Sequence, residues 1–318
     1  MNNKLIVILG PTASGKTDLS VKLAKKYNGE IVSADSRQVY KGLNIGSGKI
    51  TKKEMQGILH HLLDVANPKR KFTVAQYQKL AIKEIKKIQK KGKIPFLVGG
   101  TGFYIQSVVD GIILPEVKPN YKLRKELSKK TVKELFNILK KLDPKRSKTI
   151  DAKNAVRLIR AIEIIKSTKK PIQKIISKPE FEVLEIGIKK SPEELKKLIH
   201  KRLEKRLKQP ARAGGGMIKE VINLHKNGLS FKRLEELGLE YRYITQYLQE
   251  KLSYEEMINI LEKESWHYAK RQMTWFSAHG GSLPTGQAGA SGVKKDKKIH
   301  WIRTYREILT TIDKFINK

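Results

Sequence analysis

One eight-residue stretch limits the possible folds more than any other: Gly10-Pro11-Thr12-Ala13-Ser14-Gly15-Lys16-Thr17. It matches G-x-x-x-x-G-K-[ST], a loop whose backbone amides close around phosphate oxygens. The pattern carries meaning only between a strand and a helix, and its flanks supply both. Residues 4–9 are apolar and β-rich, and residues 18–27 carry Leu19, Val21, Leu23 and Ala24 at helical spacing. Glycines let amides turn inward, and the following helix adds the partial positive charge of its N-terminus. Lys16 then reaches phosphate, and the Thr17 hydroxyl suits a Mg²⁺ ion. Phosphate binding follows, but not which phosphate, since ATP and any other pyrophosphate fill the same loop.

The rest of the chain extends this start. Residues 30–34 and 94–98 read as further strands, and residues 72–91 as a helix with Tyr77, Leu80, Ile82, Ile85 and Ile88 on one side. Such β-α-β alternation predicts a parallel sheet flanked by helices. From about Pro115 the texture becomes helical. Residues 121–142 and 154–166 read as two helices, and residues 183–188 return to strand character. Residues 115–178 are therefore expected to be a helical insertion in a core formed by 1–114 and 179–318. Ser191-Pro192 resembles an N-cap with proline in the first turn, opening a mostly helical region to about Phe276. Residues 299–302 are expected as a last strand and 305–316 as a closing helix. Residues 210–215 and 277–293, rich in Gly, Ala and Ser, read as flexible inserts.

Two more constellations fall at strand ends, where doubly wound sheets hold ligands. Ser33-Ala34-Asp35-Ser36-Arg37-Gln38-Val39-Tyr40 follows the second strand. Asp35 there can act as a base or metal ligand, or cap the next turn. Val98-Gly99-Gly100-Thr101-Gly102-Phe103-Tyr104 follows the third. Glycine stands where a phosphohydrolase of this fold would carry a Walker-B aspartate, which argues against hydrolysis of ATP.

The net charge of +36 suits a polyanion, although only 14 of the 67 basic residues are arginine. Each arginine is thus the sharper hint, because its planar fork fits phosphate. There is no cysteine, which removes disulfides, thiolate zinc sites and cysteine nucleophiles. No apolar run is long enough to span a bilayer and no signal-peptide pattern is visible, so the expectation is a cytoplasmic chain without a membrane partner.

Taken in order, several motifs resemble the tRNA dimethylallyltransferases, also called tRNA isopentenyltransferases. They are residues 10–17, Asp35-Ser36-Arg37-Gln38-Val39-Tyr40, Ile45-Gly46-Ser47-Gly48-Lys49, His60-His61-Leu62-Leu63-Asp64, residues 97–104, Arg157-Leu158-Ile159-Arg160-Ala161-Ile162-Glu163, residues 238–243 and Ala269-Lys270-Arg271-Gln272-Met273-Thr274-Trp275-Phe276. The resemblance runs from about Leu5 to Phe276 outside the inserts. It implies an α/β, P-loop NTPase-like parallel sheet flanked by helices, with a helical insertion domain and a helical C-terminal region.

It also implies prenyl transfer from dimethylallyl diphosphate, with Mg²⁺, to the N6 amine of an adenosine 3′ of the tRNA anticodon, by a chain expected to act as a monomer. In that scheme Gly10, Pro11, Thr12, Ala13, Ser14, Gly15, Lys16 and Thr17 hold the diphosphate, with Thr17 on Mg²⁺. Asp35 is the base, Thr101 sits near the amine and Arg242 is a second cation on the diphosphate. Asp35, Ser36, Arg37, Gln38, Thr101, Arg124, Arg157, Arg160 and Arg271 meet the tRNA.

The chain departs from the family pattern in places. Ser47 replaces a common Thr, Asp151-Ala152-Lys153-Asn154 stands where many members have His-Pro-Asn-Asp, and the two inserts are additional. Rival readings are a P-loop small-molecule kinase, an enzyme that prenylates free AMP, and a basic RNA-binding protein without catalysis. The basic insertion disfavours the kinase, and intact Lys16, Thr17 and Asp35 disfavour the last.

Overall fold

The computed structural model describes residues 3–172, 176–208, 216–279, 299–302 and 304–318. The insert expected at 210–215 lies outside them, as does nearly all of that at 277–293. Six strands form one sheet in the order β3-β2-β4-β1-β5-β6, and every pairing is parallel. In chain order the first elements are β1 (Lys4–Leu9), α1 (Lys16–Lys26), β2 (Gly29–Ala34), α2 (Lys52–Met55), β3 (His60–His61), α3 (Val74–Lys90), β4 (Ile94–Gly99) and α4 (Gly102–Val109). Then come α5 (Tyr121–Leu127), α6 (Val132–Leu142), α7 (Pro144–Ser147), α8 (Ala155–Thr168), β5 (Glu182–Ile188), α9 (Pro192–Leu207), α10 (Gly216–Lys226), α11 (Phe231–Glu236) and α12 (Leu239–Leu248). The chain closes with α13 (Tyr254–His279), β6 (His300–Ile302) and α14 (Tyr305–Ile316).

The period-2 alternation of β1 divides the core. Leu5, Val7 and Leu9 face Tyr77, Ala81 and Ile85 of α3, Tyr104 and Val108 of α4, and apolar residues of the C-terminal helices. Ile6 and Ile8 face Val21, Leu23 and Ala24 of α1 and Ile308 and Ile312 of α14. A central strand covered on both faces reads as a continuous apolar run, and Leu-Ile-Val-Ile-Leu is one. The P-loop NTPase-like class expected from the sequence is the fold observed.

Local sequence sets the element ends. Thr51 with Glu54, Thr73 with Gln76 and Thr131 with Glu134 form reciprocal capping boxes. Ser191 caps α9, with Pro192 in its first turn. The single helix expected over 121–142 is two, because the Thr131 box starts a new helix after Leu127. Helix α4, which starts inside the glycine motif that follows the third strand, has no counterpart among the expected elements. It is a short, almost wholly buried helix, and its Tyr104 ring stacks on Tyr77 at 3.9 Å.

The described residues divide into two compact units, one holding those up to Val109, those of Glu180–Ser277 and those from 299 onward, the other holding those of Asp110–Pro179. In the second unit Leu127, Leu135, Leu139, Leu158 and Ile162 from α5, α6 and α8 form a separate core. At its edge lies Glu163, only 1 % exposed. It accepts from Arg124 Nε at 2.8 Å and Nη2 at 2.7 Å, from Asn120 N at 2.7 Å and from Arg160 Nη1. Burial pushes this carboxyl up, but the Arg124, Arg160 and Asn120 hydrogen bonds outweigh it and hold it at about 2.

A carboxyl held that low contributes stability above the ordinary carboxylate range, and the contribution is lost as pH falls toward 2. Removing it strands two guanidiniums, each about one-third exposed (34 % and 35 %). Glu163→Ala should therefore cost on the order of 2 kcal/mol, less than a fully buried pair would. The check is the thermal midpoint at pH 7 together with amide exchange over residues 110–179, where the loss should concentrate.

Candidate active site

Strand register builds the site. Gly99 at the end of β4 pairs with Leu9 of β1 on one side and Ala34 of β2 on the other. Three chain exits therefore lie at one level: Gly10 after Leu9, Asp35 after Ala34, and Gly100-Thr101 after Gly99. A Cβ at Gly99 would lie 2.1 Å from the Ala34 carbonyl oxygen, so only glycine permits this approach.

The 10–17 loop is shaped for an anion. Ala13 and Gly15 take left-handed conformations, and α1 begins at Gly15 with no side-chain cap on its first amides. Ser14 Oγ is buried without a hydrogen-bond partner among the described residues. Lys16 folds back, its Nζ donating to Pro11 O at 2.6 Å. Burial, and next the neighbouring Arg202, pull Lys16 down to about 7, against the opposing pull of Asp35. Thr17 is exposed at the loop mouth. Among the described residues no group of three His, Asp or Glu side chains is placed to hold a metal. A divalent ion would therefore depend on Thr17 and on oxygens of the bound phosphate.

Asp35 lies half-buried at the end of β2. Its Oδ1 accepts from Arg37 N at 2.8 Å and Gln38 N at 3.2 Å, so it does cap the following turn. A carboxylate has lone pairs on both oxygens, so this cap leaves Oδ2 with the capacity to take a proton. Asp35 also raises the proton affinity of Lys16, Arg202, Tyr104 and Tyr268, which places it among them. Thr101 Oγ1 accepts from Ser36 N at 3.0 Å, and the Tyr268 hydroxyl of α13 lies close to it. Gln38 Nε2 donates to Gly48 O at 3.3 Å. Arg37 lies against Gly238, its Nη2 being 3.3 Å from where a Cβ would stand.

The structure thus brings residues 10–17, 35–38 and Thr101 together. Arg242 is exposed on α12, and its Nε donates to Glu235 O at 3.3 Å. Arg202 of α9 reaches the 10–17 loop, its Nη1 donating to Thr12 Oγ1 at 2.9 Å. Burial and Arg206 pull Arg202 down to about 10. Arg206, one turn on, donates to Gly46 O at 3.1 Å and Glu240 Oε1 at 2.9 Å. Both guanidiniums press on Gly48, where a Cβ would lie within 1.8 Å of Arg206 Nη2 and 2.1 Å of Arg202 Nη2. Sequence reasoning passed over these two. The available signal was a pair of scarce arginines four residues apart on a lysine-rich helix.

Glu220 of α10 was also missed. It accepts from the amides of Asn44, Ile45 and Gly46 at 2.9, 2.6 and 3.0 Å, and from Tyr241 Oη at 2.8 Å. Of the remaining expected arginines, Arg124 and Arg160 serve Glu163 as described. Arg157 Nη1 donates to Asp151 at 3.4 Å, and Arg271 is 61 % exposed on α13, 4.0 Å from Glu264.

A model of the family described as IPP transferase matches residues 38–279. A tRNA dimethylallyltransferase of Acetivibrio thermocellus is 40 % identical over 283 residues, covering 86 % of this chain and 88 % of its own. The crystal structure of a tRNA isopentenylpyrophosphate transferase from Bacillus halodurans superposes with a TM-score of 0.67 at 34 % identity, covering 99 % of this chain and 96 % of that one. A eukaryotic dimethylallyltransferase solved acting on tRNA gives a TM-score of 0.73 at 28 % identity, over 86 % of this chain and 70 % of that one. With most of its length matched at this identity, the chain belongs to the IPP transferase family, the tRNA dimethylallyltransferases.

Proposed function

We propose that this chain transfers a dimethylallyl group from dimethylallyl diphosphate to the N6 amine of the adenosine 3′ of the anticodon in tRNA, releasing diphosphate. The observation that carries the mechanism is the common level of three strand ends, which sets an anion loop, a carboxylate and a threonine hydroxyl side by side. The allylic C–O bond breaks as N6 bonds to the same carbon, and the electron pair of the broken bond leaves on the diphosphate. The 10–17 amides, Lys16 and Arg202 meet the charge that develops there, which favours the transition state over the ground state. The amine becomes acidic as its bond to carbon forms, and Asp35 takes the proton. Thr101 and the 35–38 turn orient the amine. Mg²⁺ bound through Thr17 and the diphosphate oxygens would add charge neutralisation on the leaving group.

The chain is proposed to act as a monomer. Among the described residues no helix is long and apolar enough to cross a membrane, and a tRNA substrate fits a cytoplasmic enzyme. The insertion, with Arg124, Arg157 and Arg160, and Arg271 on α13 are proposed to meet the tRNA backbone. Residues 210–215 and 277–293 are proposed as inserts that the reaction does not need. The test is transfer of labelled dimethylallyl to unmodified tRNA, with AMP in a parallel tube. Label in tRNA alone supports the reading. Label in AMP alone, or in neither, rejects it.

Lys16 provides an independent check on the anion loop. With its pKa near 7, the ammonium is mostly neutral at pH 8. A bound polyanion favours the charged form, so binding at pH 8 takes up a proton at Lys16. Calorimetric titration with inorganic diphosphate in two buffers of different ionisation enthalpy should show uptake that shrinks as pH falls below 7. In Lys16→Met the Lys16 share of that uptake should be missing.

A further inference from the structure

Helix α13 presents Tyr268, Gln272, Trp275 and Phe276 on one face, and this face grips both halves of the site. Gln272, 6 % exposed, accepts from Thr12 N at 2.7 Å through Oε1 and donates to Gly100 O at 2.8 Å through Nε2. The reverse amide orientation would set NH₂ against an N–H and oxygen against oxygen, so the two partners fix it. Gly100 admits this amide, since a Cβ there would lie 2.2 Å from Gln272 Nε2. One turn earlier the Tyr268 hydroxyl lies close to Thr101. Three residues later the Trp275 indole occupies the space a side chain would need at Gly102, and it meets Phe103 edge-on with ring centroids 6.4 Å apart.

The two ends of the Gln272 amide rest on different substrates' loops. Thr12 belongs to the anion loop and receives Arg202 on its hydroxyl. Gly100 precedes Thr101, which fixes the Ser36 amide next to Asp35. A single rigid amide therefore joins the loop that holds the leaving group to the loop that holds the nucleophile. The reaction needs attacking nitrogen and allylic carbon at contact distance, and an error of about 1 Å in such a spacing costs about 100-fold in rate.

We propose that Gln272 is a positioning residue that sets the separation between the diphosphate-binding loop and the amine-binding loop; this rests on the prenyl-transfer reading above. The role differs from generic core packing in its kinetic signature. Each loop keeps its own ligand contacts when Gln272 is removed, so binding of either ligand survives while their alignment is lost.

The test uses the full chain with Gln272→Met, which keeps the volume and loses both hydrogen bonds, and Gln272→Glu, which keeps an acceptor for Thr12 N but no donor for Gly100 O. Gly100→Ala attacks the same clasp from the opposite side. Single-turnover transfer is measured at saturating tRNA and donor, alongside the Kd for tRNA and for inorganic diphosphate with Mg²⁺. Gln272→Met should lower the saturating rate about 100-fold, with both Kd values within about threefold of the parent. Gln272→Glu should fail to rescue the rate, and Gly100→Ala should reproduce the loss. The inference is overturned by folded Gln272→Met and Gly100→Ala proteins with saturating rates within about twofold of the parent. It is equally overturned by losses confined to the Kd values. A parent that transfers nothing to tRNA removes the prenyl-transfer reading, and this inference with it. An active parent with unaffected variants removes the inference alone.

Discussion

Asp35→Asn should lower single-turnover prenyl transfer by about 1,000-fold, within the span of general-base effects. Asn is the informative replacement because Asp35 does two things. Its Oδ1 holds the Arg37 and Gln38 amides, and its carboxylate faces Lys16 and Arg202. An amide oxygen can keep the two backbone bonds and cannot take the proton at neutral pH. Asp35→Ala should add loss of the cap, about 1 kcal/mol of local stability, to the same catalytic defect. The tRNA affinity of Asp35→Asn should stay close to the parent's, since the turn that carries Ser36 and Gln38 is intact. A near-parental single-turnover rate in Asp35→Asn would leave Asp35 as a cap and nothing more.

Arg202→Ala should cost about 100-fold in turnover, the scale of losing one preorganised donor on a developing charge. It should also weaken inorganic diphosphate, because the guanidinium is already fixed on Thr12 Oγ1 beside the anion loop. Arg202→Lys should recover only part of this, since an ammonium lacks the fork that reaches two oxygens. Arg242→Ala, on an exposed side chain bonded to Glu235 O, should change the rate far less. Steady-state kcat and KM for the donor in the two alanine variants decide between them. A larger loss in Arg242→Ala would return the role of second cation to Arg242 and take it from Arg202.

What the sequence made legible was local. The glycine-rich loop identified itself because its function needs glycine at fixed spacing between a strand and a helix. Asp35 and Thr101 could be found because strand ends are where such sheets hold ligands, and both follow apolar runs that mark strands. What stayed hidden depends on helices crossing long sequence distances. Arg202 meets Thr12 across 190 residues and Gln272 meets it across 260, and no periodicity encodes either meeting. The division of residues 121–142 was readable in principle from Thr131 and Glu134, but the leucine period hid it. The burial of α4 was hidden too, because Gly99-Gly100-Thr101-Gly102 looks like a loop until Gln272 fills the space at Gly100 and Trp275 that at Gly102.

The carboxylate of Glu220 bears on selectivity in another way. Three consecutive amides at 44–46 converge on it as they would on a phosphate oxygen. Among the described residues the 44–46 amides thus form a second backbone cradle beside the 10–17 loop, and the chain occupies it with its own side chain. A tethered occupant is present at effectively constant high local concentration, and free phosphate in the cell cannot compete with it. The 44–46 amides are thereby closed to an outside anion, which under the proposed reaction leaves the donor's diphosphate to the 10–17 loop.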